Sequence, residues 1–564
     1  MATVISDNII SPLGFTTNEN LQAIRLGKTA LRHYESIEGI PFPFTASLFT
    51  KEQTERISIE GLTPFEALAY RSIESALANC NIPLTGNSVL ILSSTKGNVG
   101  LLHSENNPVD VTEMGAAASK ISKRLGLKQE PIVISNACIS GVSAIIVAMR
   151  LLATAKADNV IVCGVDVQSP FIISGFESLK ALSESECRPF DIERLGLNLG
   201  EAAATIILSN KGEDGCWQIN DGVVRNDAFH ISSPSPKGEG AFQTLQQILQ
   251  NTPIEDIAVV NAHGTATMYN DQMESKAISR AGLSDAPANA LKGYFGHTMG
   301  AAGVLETILT LHSVENGFVL GTRNFEELGV SGKVNINSEE RPTAKRSFVK
   351  MISGFGGGNA SIRGIYGNSE EPTLQSHKFS ISHRVILTQD SLLIDGESAS
   401  IKESGDKLLT ALYKEKIRDY PKFYKMDSLT RLGFLATELL LQAENNTEVE
   451  NTSSRAIAFF NKKASLKTDL AYLDTIKDAD NFFPSPSLFV YTLPNIVTGE
   501  IAIRHHYFVE TAFYILPEQN WERINDIVEC MFCDNQTESV IAGWVEHSDS
   551  NDFEANIFIA NKTK

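Results

Sequence analysis

The 564-residue chain is poor in cysteine, with seven, and its 48 lysines and arginines are outnumbered by 67 aspartates and glutamates. The formal net charge of −19 would repel a phosphate backbone, which argues against nucleic acid as a partner. An acidic carrier protein would meet the same repulsion and would have to dock on a locally basic surface. Few cysteines, odd in number, are not a disulfide framework; they point to reduced thiols and a cytoplasmic setting. The opening MATVISDNIISPLG lacks a basic stretch followed by an apolar one, so no signal peptide is expected there. Long apolar runs are also missing. The most apolar stretch, residues 132–157, is interrupted by Ser135, Asn136, Ser140, Ser143 and Arg150, and it reads as a buried strand running into a buried helix, with no membrane span.

What is present is the composition of a folded protein: 42% apolar, 20% charged and 40 glycines, which excludes disordered, collagen-like and coiled-coil classes. Strand-like runs at residues 88–93, 132–135, 160–164, 203–208, 257–262 and 348–353 alternate with helical patterns at 64–79, 141–155 and 300–315. That alternation predicts a layered α/β fold with buried sheets. Near residues 370–377 the pattern lapses into a polar linker.

The segment beyond the linker is a weak repeat of the beginning. SVLILSSTKG (88–97) aligns with RAIAFFNKKA (455–464) at an offset of 367, SKISKRLGL (119–127) with GEIAIRHHY (499–507) at 380, and NVIVCGVD (159–166) with SVIAGWVE (539–546) at 379 or 380. Where the first copy has SNACISG (135–141), the tail offers YILPEQN (514–520), so Cys138 faces Glu518 or Pro517. Cysteine chemistry is therefore expected only in the first part.

Cys138 follows a strand and precedes an apolar helix, where unpaired N–H groups and the helix dipole are expected to lower a thiol's pKa. His263, in NAHGT, and His297, in KGYFGHTMG, each lie at a strand exit or helix entry beside glycine. The three residues lack clustered metal-ligand spacing, and Cys530 and Cys533 lack partners for a zinc site, so no metal is expected.

The motifs SPLG (11–14), SNACISG, RPFDIERLGLNLGEAA (188–203), DAFHISSPSPKGEG (227–240), NAHGTATMYND (261–271), KGYFGHTMGAAGVLE (292–306) and SGFGGGNAS (353–361) together resemble a β-ketoacyl-[acyl carrier protein] synthase of the thiolase superfamily. The resemblance implies a thiolase-like layered α-β-α-β-α fold of two pseudo-repeated halves, residues 1–210 and 211–368. A linker (369–378) and a degenerate, non-catalytic N-terminal-half-like α/β domain (379–564) then follow. It implies an acyltransferase in which Cys138 accepts an acyl group and His263 and His297 assist malonyl decarboxylation. Lys292 and Glu306 orient that pair, Phe355 gates, and the N–H groups of Cys138 and Phe355 form the oxyanion hole. Asp271 and Glu274 are expected to hold the His263 loop.

The phosphopantetheine belongs to the carrier, and no cofactor is expected on the protein itself. Thr265 and Thr298 are expected at the substrate, and Lys120, Lys123 and Arg124 as a docking patch for acyl carrier protein. The first copy is short between residues 94 and 114, where relatives carry more, and the tail has the longer version at 466–495. This implies a pseudo-dimer within the chain, by analogy with paired synthase and chain-length-factor systems; a homodimer is the other expectation. A non-catalytic, chain-length-factor-like or scaffold partner is the alternative function. The starter stays open between a saturated primer of general fatty acid synthesis and an unsaturated or aryl starter of a dedicated polyene or polyketide-type pathway.

Overall fold

The computed structural model describes residues 2–563, apart from 81–83, 85, 104–108, 212–214, 251, 368–373, 376 and 445–452. Most of the expected linker, 369–378, thus lies outside the described residues, as does part of the short segment before residue 114.

One pairing pattern recurs three times. In the first stretch the order is Ile132–Ile134, Ser88–Ser93, Asn159–Asp166, Ala202–Ser209, Ala2–Ile10, the first three parallel and the last two joined antiparallel. The second repeats it with Pro287–Asn289, Ile257–Asn261, Ser347–Ser353, Gly358–Gly367 and Cys216–Asn226. The tail repeats it again with Thr511–Ile515, Arg455–Asn461, Ser539–Asp549, Asp552–Thr563 and Lys378–Thr388. The parallel strands are runs of Val, Ile, Leu and Phe without alternation because helices cover both faces.

The tail joins the first stretch edge to edge. Tyr514 pairs with Ile134 and Ile515 with Val133, antiparallel, so two equivalent edge strands satisfy each other's backbone groups within a single chain. Buried ion pairs reinforce the junction: Arg150 to Glu510 at 2.6 Å and Arg225 to Asp534 at 2.5 Å.

Two helices at the centre, Ser140–Ala153 and Ala302–Glu315, are apolar on nearly every face because sheets enclose them on both sides. They cross at Gly141 and Gly303. A Cβ on Gly303 would lie 2.6 Å from the Val142 nitrogen, and one on Gly141 2.9 Å from the Val304 nitrogen. Only hydrogen fits at that crossing, and the close approach brings the N-termini of both helices to one point. Cys138 lies in the short turn that leads into one of them, and His297 just before the turn that leads into the other. Among the described residues no helix is long and apolar enough to cross a membrane.

Candidate active site

Cys138 sits on a tight strand-to-helix turn whose preceding residue, Ala137, has φ +49°, a left-handed conformation that turns the following side chain towards the cavity. Its Sγ lies 3.0 Å from Nε2 of His297. The His297 and His263 rings meet edge to face with centroids 5.0 Å apart. All three side chains line a cavity of about 370 Å³ together with Phe176, Leu197, Thr265, His230, Ser353 and Phe355.

Nδ1 of His297 accepts the Met299 N–H at 3.2 Å, which leaves the proton of the neutral ring on Nε2, facing sulfur. His263 is held through its backbone. Glu274 accepts the N–H groups of His263 and Gly264 at 2.7 and 2.8 Å, and Lys292 donates to the His263 carbonyl at 2.6 Å. Asp271 fastens the same loop to the RPFD segment by accepting from Phe190 and Ala266. These carboxylates are therefore positioning groups, as expected.

Lys292 and Glu306 form a buried ion pair at 2.7 Å and do not line the cavity. Glu306 is also paired with Lys350. Against burial, which raises it, the two ammonium groups hold the Glu306 carboxyl below the usual range. Burial, with Lys292 and Lys350 nearby, pushes both imidazoles well below the ordinary histidine value. Both are thus neutral hydrogen-bond donors at physiological pH.

The cysteine departs from expectation. Burial pushes its thiol up to about 12, and the Lys292 charge with the N–H groups of Cys138 and Phe355 only partly opposes this. Desolvation outweighs the helix N-terminus, so the resting thiol is protonated. The same two N–H groups face sulfur, where the expected oxyanion hole should be.

Three ligand-type atoms of Cys138, His263 and His297 lie within 4.8 Å of one another, a grouping that sequence spacing had concealed. The buried ammonium groups of Lys292 and Lys350, which share Glu306, make the surroundings unfavourable to a cation.

Thr265 lines the cavity and bonds Thr267 at 2.9 Å. Thr298 does not line it; its side chain is buried against Gly200. Lys120, Lys123 and Arg124 also lie away from the cavity. Their helix, Met114–Arg124, places Gly115 against Leu516 and Pro517, the turn where the tail lacks a nucleophile; Lys120 pairs with Glu66 and Arg124 covers Tyr70.

Reasoning from sequence missed several groups. Asp166 accepts from Ser94, Thr95 and the Gly300 N–H, at 2.7 Å for the last, and so ties the His297 turn to the first sheet. The tail supplies Asn495, whose Nδ2 donates to the Phe355 carbonyl, and Phe489, whose ring meets Phe176 at 5.5 Å beside Phe355. Lys350 was overlooked although a lone lysine in the apolar strand SFVKMIS was a legible signal.

Comparison with known proteins places this geometry in context. The family described as "Beta-ketoacyl synthase, N-terminal domain" matches residues 15–213, and "Beta-ketoacyl synthase, C-terminal domain" matches residues 218–326. The 3-oxoacyl-[acyl-carrier-protein] synthase 2 of Rhizobium meliloti (strain 1021) is 32% identical over 270 residues, 44% of this chain and 63% of that protein. The protein of the same name from Vibrio cholerae serotype O1 is 31% identical over 278 residues, 45% of this chain and 66% of its own length. The match thus spans less than two thirds of these relatives. Among solved structures, the PfaC keto synthase-chain length factor superposes with a TM-score of 0.79 over 99% of this chain and 78% of that one, at 13% identity. The ketosynthase ApeO in complex with its chain length factor ApeC from Xenorhabdus doucetiae gives 0.55 over 65% of this chain and 98% of that one, at 23% identity. At such identities the likeness is one of fold.

Proposed function

Because the chain belongs to the β-ketoacyl synthase family, we propose that it is a condensing acyltransferase that joins an acyl group on Cys138 to a malonyl unit with loss of carbon dioxide. The observation that carries this reading is the cavity itself, in which a thiol and two neutral imidazoles face one another, with Nε2 of His297 3.0 Å from Sγ.

In the first half-reaction Sγ attacks the carbonyl of an acyl thioester. The sulfur–carbon bond to Cys138 forms, the bond to the donor thiol breaks, and that thiol leaves with the cysteine's proton. The N–H groups of Cys138 and Phe355 receive the developing oxyanion. In the second, the bond between the malonyl carboxylate and methylene breaks, carbon dioxide departs, and the electron pair becomes an enolate. His263 and His297 donate N–H to its oxygen; neither needs to gain or lose a proton. The enolate carbon attacks the acyl-cysteine, the carbon–sulfur bond breaks, and a proton from solvent restores the thiol beside a 3-oxoacyl product. Acyl carrier protein, bearing acyl and malonyl groups on its own phosphopantetheine, is the proposed donor, and the protein would bind no cofactor itself.

The tail serves as the non-nucleophilic partner of an internal pseudo-dimer. Its strand pairing at Ile134 supports this, as do Asn495 on the Phe355 loop and the rings of Tyr472 and Phe489 against Phe171 and Phe176. Aromatic packing from the tail behind Phe176, which lines the cavity, supports a specialised polyene or polyketide-type chain over general fatty acid synthesis. Incubation with acyl- and malonyl-carrier protein, followed by mass spectrometry, tests the reading. Cys138 should carry the acyl group, and His263→Ala should acylate without condensing; an unlabelled Cys138 overturns it.

A further inference from the structure

Lys350 is fully buried in the strand Ser347–Ser353, opposite Asn261 in the parallel register. Its ammonium pairs with Oε2 of Glu306 and donates to the Ala262 carbonyl at 3.3 Å. Lys292 takes the other oxygen of Glu306, at 2.7 Å, and the carbonyl of the next residue, His263. Two cations therefore share one carboxylate and grip consecutive carbonyls of the loop that carries His263. Removing a second lysine from water is costly, and the one carboxylate in contact, Glu306, is shared by two ammonium groups, while burial pushes the next, Glu274, up to about 7. Packing does not call for the charge, since Phe348 and Ile352, on the same face of the strand, are apolar and equally buried.

The excess positive charge lies behind two imidazoles that must stay neutral, at the place where the proposed reaction creates an enolate. We propose that Lys350 is a positioning residue of the decarboxylation half-site: with Lys292 it holds the His263 loop, keeps His263 and His297 unprotonated and favours the developing anion. The inference deepens the condensing reading and rests on it for the chemistry. The groups that face this ammonium are Glu306, Lys292 and Glu274, with the imidazoles of His263 and His297 beyond them. In the assisted step only the carboxylate–methylene bond breaks. Its electrons move to the thioester oxygen, and no proton is exchanged.

The test uses full-length Lys350→Met and Lys350→Arg, with malonyl-pantetheine and acyl-pantetheine thioesters as probes. Carbon dioxide release should fall about tenfold or more in Lys350→Met while S-acylation of Cys138 stays within about twofold. Its acid limb should move to higher pH, and Lys350→Arg should restore the parent profile. Ring-proton NMR should detect a histidine titrating between about pH 5 and 7 in Lys350→Met and none at His263 or His297 in the parent protein. Equal slowing of both half-reactions with an unmoved profile, or imidazoles that titrate alike in both proteins, overturns the proposal. Should the methionine variant not fold, Lys350→Gln makes the same comparison. A parent protein that neither acylates nor releases carbon dioxide removes the condensing reading, whereas the histidine titration still decides the role of Lys350.

Discussion

Nδ2 of Asn495 donates to the carbonyl of Phe355 at 2.9 Å, so a side chain of the tail holds the loop that closes the cavity around Cys138. The helix that follows, Ile496–His505, lays Gly499 on the same loop, where an added Cβ would lie 2.7 Å from the Gly356 oxygen. Asn495→Ala should lower the condensation rate several-fold with acylation little changed. Gly499→Val should do more, because backbone must then move. Steady-state rates for both half-reactions, with thermal melts as a control for folding, check this; equal rates in all three proteins would remove the tail from the gate.

The pH dependence of the thiol follows from its burial. With Cys138 pushed up to about 12, the reactive thiolate is a minor species at every physiological pH. Alkylation by iodoacetamide should rise about tenfold per pH unit between about pH 8 and 10 without levelling off. Stopped-time alkylation followed by peptide mass spectrometry measures it, and a plateau near pH 8 would mean that the helix N-terminus wins over desolvation after all.

Breaking the junction between the tail and the preceding stretches should be costly. Asp534 is buried with Arg225 at 2.5 Å, and Asp534→Asn leaves a buried guanidinium without its counter-charge, a loss of about 3–5 kcal/mol. Denaturant titration of the full chain provides the number; a change below about 1 kcal/mol, the range of an exposed pair, would contradict the buried geometry.

Phe489 contacts Phe176 from the tail side, and a Cβ on Gly175 would lie 2.0 Å from its ring. Phe489→Ala should lengthen the product chain by freeing Phe176, which lines the cavity beside Phe355, to move back, at a stability cost of about 3–5 kcal/mol. Product mass spectrometry against the parent protein reads the first effect and thermal melts the second. An unchanged product distribution in a folded variant would exclude Phe176 as a length limit.

Periodicity alone made the buried strands legible; Cys138 stood out at a strand-to-helix turn, and His263 and His297 because each lies beside glycine at a strand or helix end. The repeat was visible from ordered similarity in strands such as SVLILSSTKG and RAIAFFNKKA, since identical sheet positions demand similar apolar runs. Thr298 was misjudged because proximity to His297 in sequence does not fix direction; a tight turn sends that side chain towards Gly200. The basic helix at Lys120 keeps its three cations exposed, but its surroundings were not legible. Its position opposite Leu516 and Pro517 follows from the antiparallel pairing of Ile134 with Tyr514, which no local pattern records.

Local order along the chain therefore determined the α/β strand–helix alternation, the proposed nucleophile Cys138 with His263 and His297, and the lack of a cysteine at the matching turn of the tail. Tertiary structure alone decided what surrounds them: that desolvation outweighs the helix N-terminus and raises the thiol, that Lys350 joins Lys292 on Glu306, and that Asn495 reaches the Phe355 loop and Phe489 the ring of Phe176. These depend on which groups are excluded from water together, a property of packing between segments hundreds of residues apart.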